Sequence, residues 1–325
     1  MKKFSKLLAV ILSASTIISM TACNSNDSNG DAAKAKYNIG IVQYMEHSAL
    51  DLATEGFQKA LKEKLGDDVS FDLQNAQGEQ TNNGTIVTKF VNDNVDLIMA
   101  NATPSVLAAR EATDTIPIVG TSVTDYVESG IVKSDSAPGG NVTGASDLNP
   151  VEVQVKLMKE LCPDVKTVGI VISSAEENSR IQAEEAKVAF EAAGYTVKVY
   201  TAADSNELQP VFTKASQEVD GFYEPTDNLV ANNMEIVKNV TVPAGKPVIT
   251  GEKSMCEVGG LATYSIDYYK LGYAAGEQAY EILVNGKDPA SMEIVHMKTD
   301  ELELYINEDI LKELGLTVPE SLKSK

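Results

Sequence analysis

The sequence predicts an α/β fold of two lobes, each built on a parallel sheet, with a ligand cleft between them. Three observations lead there. From Tyr37 onward, short apolar runs alternate with helical stretches, the pattern of parallel strands buried on both faces. The alternation occurs as two successive series of similar length, in a chain of 325 residues that exceeds what one core usually holds. Elements left over after the second series then imply that the chain recrosses, making each lobe discontinuous.

In the first series the strands are Asn38–Gln43, Ser70–Gln74, Leu97–Ala100 and Ile116–Thr121. Between them apolar residues recur at three and four spacing: Leu50, Leu52, Phe57, Ala60 and Leu61, then Ile86, Val87, Phe90 and Val91, then Val106–Ala112. Residues 134–150 combine turn formers with a short extended piece and read as a crossing between lobes. The second series has strands at Thr167–Ile172, Tyr195–Tyr200, Gly221–Glu224, Pro247–Thr250 and Leu261–Ser265, with helices near 151–161, 177–193, 206–218 and 228–239. A strong helix follows from Asp267 to Asn285, with Gly286 placed to stop it. A strand-like run at Glu293–Lys298 and a helix at Glu308–Leu314 close the chain.

Ahead of this lies a leader. Met1-Lys2-Lys3 precedes an apolar run from Leu7 to Met20 that is too short for a stable membrane span, as in an export signal. Met20-Thr21-Ala22-Cys23 resembles the lipobox of bacterial lipoproteins, with Met20 where leucine is usual. That resemblance implies removal of residues 1–22, lipidation of Cys23 and a place outside the cell membrane, tethered to its outer face. Residues 23–36 contain no large apolar residue and read as a flexible tether.

Net charge is −20, and removing residues 1–22, which carry three lysines and no acid, takes it to −23. Such a surface repels nucleic acid and anionic headgroups and argues against binding either. Besides Cys23 there are Cys162 and Cys256, which could pair in an oxidising exterior but are read as two free, buried thiols. With His47 and His296 they show no metal-ligand spacing, so no metal or cofactor is expected.

Ligands of open parallel sheets sit outside the carboxyl ends of the strands. The residues just past those ends are Gln43, Tyr44, Glu46 and His47, with Ser48 as helix cap; Asn101 and Thr103, the latter as cap before Pro104; and Thr121, Ser122, Thr124 and Asp125. The second lobe offers Asn178, then Thr226, Asp227 and Asn228, then Gly251 and Glu252, then Asp267 and Tyr268. Hydroxyls and free amides at helix starts suit a carboxylate, and acids suit an ammonium. Thr103, Thr121 and Ser122 are therefore expected to hold a carboxylate, Asp227 and Asp267 an ammonium, and Gln43, Tyr44 and His47 to line the side-chain space. Thr103, Ser48, Asp227, Asn228 and Asp267 each also read as plain helix caps. On this scheme Asp267→Ala weakens amino-acid binding by more than tenfold, since it strands a buried ammonium.

Ile39–His47, Asn75–Gln80, Ile116–Val119, Pro138–Gly144, Pro225–Asn228 and Ile266–Gly272 together resemble the ABC transporter substrate-binding proteins of tryptophan/tyrosine-type uptake systems. The resemblance implies the periplasmic-binding-protein type I fold: two Rossmann-like lobes joined by a three-crossing hinge. Residues 37–146 with 269–292 then make one lobe, and 147–268 with 299–325 the other. It also implies no enzymatic activity and delivery of an α-amino acid, an aromatic one, to a cognate ABC permease and its ATPase by a monomeric receptor. Glu224, where relatives often carry an apolar residue, and Tyr264 depart from the pattern and are expected near the cleft mouth. A sensory receptor and a receptor for another small molecule such as a nucleoside are the rival functions. A hydrolase is disfavoured, because no nucleophile–histidine–acid spacing accompanies His47.

Overall fold

A computed structural model describes residues 35–323; the leader, Cys23 and most of the tether lie outside the described residues. Two six-stranded sheets organise the chain. The first is built from β1 (Tyr37–Gln43), β2 (Val69–Asn75), β3 (Leu97–Asn101), β4 (Ile118–Val123) and β5 (Val142–Ser146), with α1 (Ser48–Leu65), α2 (Gln80–Asn92) and α3 (Thr103–Ala112) between them. The chain then crosses through residues 147–150 into α4 (Val151–Leu161), β6 (Thr167–Ser173), α5 (Glu177–Ala192), β7 (Thr196–Ala202), α6 (Ser205–Ser216) and β8 (Gly221–Glu224). Next come α7 (Asn228–Ala231), α8 (Met234–Thr241), β9 (Val248–Thr250), α9 (Lys253–Val258) and β10 (Ala262–Ser265). After β10 the chain recrosses into α10 (Tyr268–Asn285) and β11 (Val295–His296), then crosses a third time to β12 (Glu303–Ile306) and α11 (Glu308–Glu313).

The strand orders match: β11-β5-β4-β3-β1-β2 in one sheet and β12-β10-β9-β8-β6-β7 in the other. Every pairing is parallel except β10 with β12. The carboxyl ends of β1 and β3, and of β6 and β8, are therefore topological switch points, where open sheets bind ligands.

β3 and β4 are buried at every position, which is why their sequences show no alternation. The segment expected as one helix over 228–239 is broken between α7 and α8. Asn232 and Asn233 sit at the break, and the Asn233 amide donates to the Leu229 carbonyl, the local competition that keeps asparagine out of helix interiors. α9 and β12 were not expected from the sequence: both are short, and β12 has no fully buried residue. The run at 293–298 contributes only Val295–His296 to a strand, pairing with β5. Cys162 and Cys256 are free and buried. No helix among the described residues is long and apolar enough to cross a membrane.

α1 and α10 pack closely along a seam of glycines. A Cβ on Gly272 would lie 1.9 Å from the Ala53 carbonyl oxygen, and one on Gly56 would lie 2.1 Å from that of Tyr269. Gly272→Ala must push two helix backbones apart. It is expected to destabilise the protein by about 3 kcal/mol, the upper range for overpacking, read as a lowered midpoint in urea. A midpoint within error of the parent would show that the seam yields freely.

Candidate functional site

Carboxyl ends from both sheets converge on one narrow, nearly filled space. His47, Ala49, Leu50 and Ser122 line it from the first lobe, and Asn178, Thr226, Asp227, Asn228 and Glu252 from the second. Asp147 and Tyr268, on the first two crossings, complete it. The lobes touch across it: His47 Nε2 lies 3.1 Å from Asn228 Oδ1, and Gln182 Nε2 donates to Thr124 Oγ1 at 3.0 Å. These bonds define a closed form.

The first-lobe wall is shaped by two strained turns. Ser122 has φ 55° where the β4–β5 register slips, and Ala102 has φ 84° as the residue preceding α3. Backbone of this kind persists where the surroundings enforce it, and it collects at ligand sites. The Ser122 hydroxyl is buried without a partner. The N-terminal turn of α1 is also open. Its cap position is His47, not Ser48, and no side chain bonds there, which leaves the dipole of an 18-residue helix aimed into the cleft through Ala49 and Leu50.

The second-lobe wall is acidic. Asp227 is fully buried; its Oδ2 accepts the Ser173 N–H at 2.6 Å and its Oδ1 the Val230 N–H at 2.9 Å. Glu252 caps α9 by accepting the Ser254 and Met255 N–H groups at 2.6 and 2.8 Å. Asp147 accepts the Tyr268 hydroxyl at 2.7 Å, which ties the first crossing to the second. Behind Asn228 lies Glu176, also buried. Burial raises all four carboxyl groups, and the neighbouring Asp227 charge raises Glu176 further. Asp147 is pushed up to about 6. No lysine or arginine lines the space. Burial also lowers His47, keeping its ring neutral.

Eight of the strand-end residues named from sequence therefore meet here: His47, Ser122, Asn178, Thr226, Asp227, Asn228, Glu252 and Tyr268. Gln43, Tyr44, Asn101, Thr103, Thr121 and Asp267 do not. Gln43 turns toward α1, where it bonds Asp51 at 2.6 Å and receives the Thr54 hydroxyl at 2.7 Å. Tyr44 is packed beneath the wall, its hydroxyl donating to the Gly78 carbonyl. Asn101 anchors α1 by donating to the Leu50 carbonyl and to Thr54 Oγ1. Thr103 and Thr121 are buried with unpartnered hydroxyls but stand behind the lining, and the cap position of α3 belongs to Ala102.

Asp267 is the clearest correction. It caps α10 through the Lys270 N–H and pairs with the Lys270 ammonium at 3.4 Å, with 36% of its side chain exposed. Asp267→Ala should leave ligand affinity unchanged and cost about 1 kcal/mol of stability as a lost cap, as isothermal titration and melting would show. A tenfold loss of affinity would return Asp267 to the site. Glu224 is likewise not at the cleft mouth; it is fully buried at the end of β8, accepting the Val171 N–H at 3.3 Å. Tyr264 sits at the hinge, its carbonyl accepting the side-chain amides of Asn149 and Gln154.

Asp147 and Glu176 carried no sequence signal, one lying in a turn-rich crossing and the other just before a helix. Gln182 was also missed, since a glutamine on the second turn of α5 reads as surface. Glu252 and Tyr268 stood among the strand-end residues, with no part in the carboxylate or ammonium scheme.

Residues 38–325 match the family described as ABC transporter substrate binding protein. The chain belongs to this family. A curated tyrosine-binding protein of Clostridioides difficile (strain R20291) is 39% identical, covering 97% of this chain and 94% of its own length. Among solved structures, the ABC domain from Streptococcus pneumonia in complex with L-Trp has 36% identity and a TM-score of 0.86, covering 89% of this chain and 98% of its own. A ligand-free, open substrate-binding protein with adhesive properties from Clostridium difficile has 39% identity over 88% of this chain and 97% of its own, at a TM-score of 0.67. The better overlay with the L-Trp complex, at no higher identity, accords with the bonds that close this binding protein across its cleft. As a substrate-binding protein the chain has a binding role, its partners are an ABC transporter and a small-molecule ligand, and its place is extracytoplasmic.

Proposed function

We propose that the protein captures an α-amino acid with an aromatic side chain, closes its lobes over it, and delivers it to an ABC permease and its ATPase. The observation that carries this is the charge asymmetry of the cleft: three buried carboxyl groups, Asp147, Asp227 and Glu252, face it with no lysine or arginine. An ammonium supplies the missing cation. Opposite, the uncapped α1 terminus and the Ser122 hydroxyl supply donors for the carboxylate. Desolvating both ends at once rewards the whole zwitterion and rejects molecules bearing one half of it. The relatives named for tyrosine and crystallised with L-Trp support an aromatic side chain.

In this proposal residues 37–146 with 269–292 move as one lobe and 147–268 with 299–325 as the other. Cys23 carries the lipid that holds a monomeric receptor at the membrane, and no enzymatic step is involved. The test is a thermal-shift screen of the chain from residue 31 against the twenty amino acids, nucleosides and small sugars. Tyrosine, tryptophan or phenylalanine should stand clear of the rest, because a ligand that binds only the folded state raises its melting point by mass action. Silence for all amino acids with a response to another class would overturn the assignment.

A further inference from the structure

His47 is connected to the opposite lobe through a chain of side chains. Its Nε2 faces Asn228 Oδ1 at 3.1 Å, and Asn228 Nδ2 donates to Glu176 Oε2 at 2.5 Å. The same carboxylate accepts the backbone N–H groups of Asn228 and Leu229 at 3.2 and 3.1 Å. Both Glu176 oxygens are already held as acceptors by the backbone N–H groups of Asn228 and Leu229, so the amide of Asn228 turns its NH₂ to Glu176 and its carbonyl to His47. A carbonyl oxygen also only accepts, which places the ring proton on Nε2. Because burial keeps the ring neutral, Nδ1 is a lone pair. It is buried, has no partner among the described residues, and belongs to a residue that lines the cleft.

We propose that Glu176, acting through Asn228, holds His47 in its Nε2–H tautomer and makes Nδ1 the acceptor for a donor group on the bound ligand. This rests on the amino-acid assignment, which supplies such donors in the ammonium, the tyrosine hydroxyl and the tryptophan indole N–H. Glu176 is a positioning residue, since it stands behind Asn228 and not in the lining. Asp227 and Tyr44 face Glu176, and Asp51 faces His47. The arrangement follows the general rule that a histidine's tautomer is set by what its other nitrogen bonds.

The chain has two histidines, so protein labelled with ¹⁵N-histidine gives two imidazole signals, and His296→Gln assigns them. In protein saturated with L-tyrosine or L-tryptophan, His47 should show a protonated Nε2 and an unprotonated Nδ1. A protonated Nδ1, or a doubly protonated ring, overturns the proposal. Glu176→Gln keeps the size but removes the fixed polarity, and should yield a mixture of tautomers with affinity reduced about tenfold. A pure Nε2–H tautomer and parent affinity in that variant would also overturn the role given to Glu176. If neither amino acid binds the parent protein in calorimetry, the amino-acid assignment itself falls, before any tautomer is read, and this inference falls with it.

Discussion

Asp227→Asn is expected to reduce affinity for the amino-acid ligand at least a hundredfold. The carboxylate is fully buried and lines the cleft, so a bound ammonium would lose its counter-charge where water cannot replace it. Breaking one side of a buried pair costs about 3–5 kcal/mol, and 1.4 kcal/mol is a factor of ten. The substitution also sets an NH₂ against one of two backbone donors, Ser173 or Val230, so melting of the ligand-free variant must be measured beside the titration. Affinity within threefold of the parent, in a protein that still melts cooperatively, would remove Asp227 from the ammonium site. The contrast with Asp267→Ala is the sharper result, because both aspartates cap helices and only one is expected to matter for binding.

Asp147→Asn is expected to stabilise the closed protein at pH 8 and to change little at pH 4. Burial raises Asp147 from 3.8 to about 6, partly countered by the Tyr268 hydroxyl it accepts. A carboxyl group raised in the folded state holds its proton more tightly there than in the unfolded chain. Its stabilising contribution is therefore complete below about pH 4 and is lost as pH climbs through about 6. The shift corresponds to about 3 kcal/mol at pH 8, worth several degrees in melting temperature for a protein of this size. Asparagine keeps the acceptor for Tyr268 and removes the buried charge. Equal gains at both pH values would show that the effect is packing and not ionisation. The same variant should bind ligand less tightly, since Asp147 lines the cleft, so stability and binding make opposite demands on this position.

Buried acids of this kind explain why half the site was legible and half was not. Asp227 and Asp267 look alike in sequence: each follows a strand, precedes a helix and caps it through the N–H three residues on. What separates them is whether the opposite lobe covers the cap, a fact about a distant part of the chain that no local pattern encodes. Thr121 and Ser122 are neighbours at the end of one strand, and the register slip in β4 selects Ser122 for the cleft. Side chains on a strand alternate faces, so one inserted irregularity exchanges which residue is presented. Gln43 illustrates the same limit, since its place at a strand end is right but α1 supplies partners for its amide.

The sequence by itself determined the two parallel sheets, their strand order of appearance, the return of the chain through a long C-terminal helix and the strand ends that form the candidate cleft. It did so because burial of a strand on both faces and the spacing of apolar residues on a helix are local patterns written directly in residue order. Only the tertiary structure decided which strand-end residues face each other. Asp147, Glu176 and Glu252 come from three separated segments and become a site because closure removes them from water together. Their raised pKa values arise from that shared desolvation, which belongs to the assembled cleft and to no stretch of sequence within it.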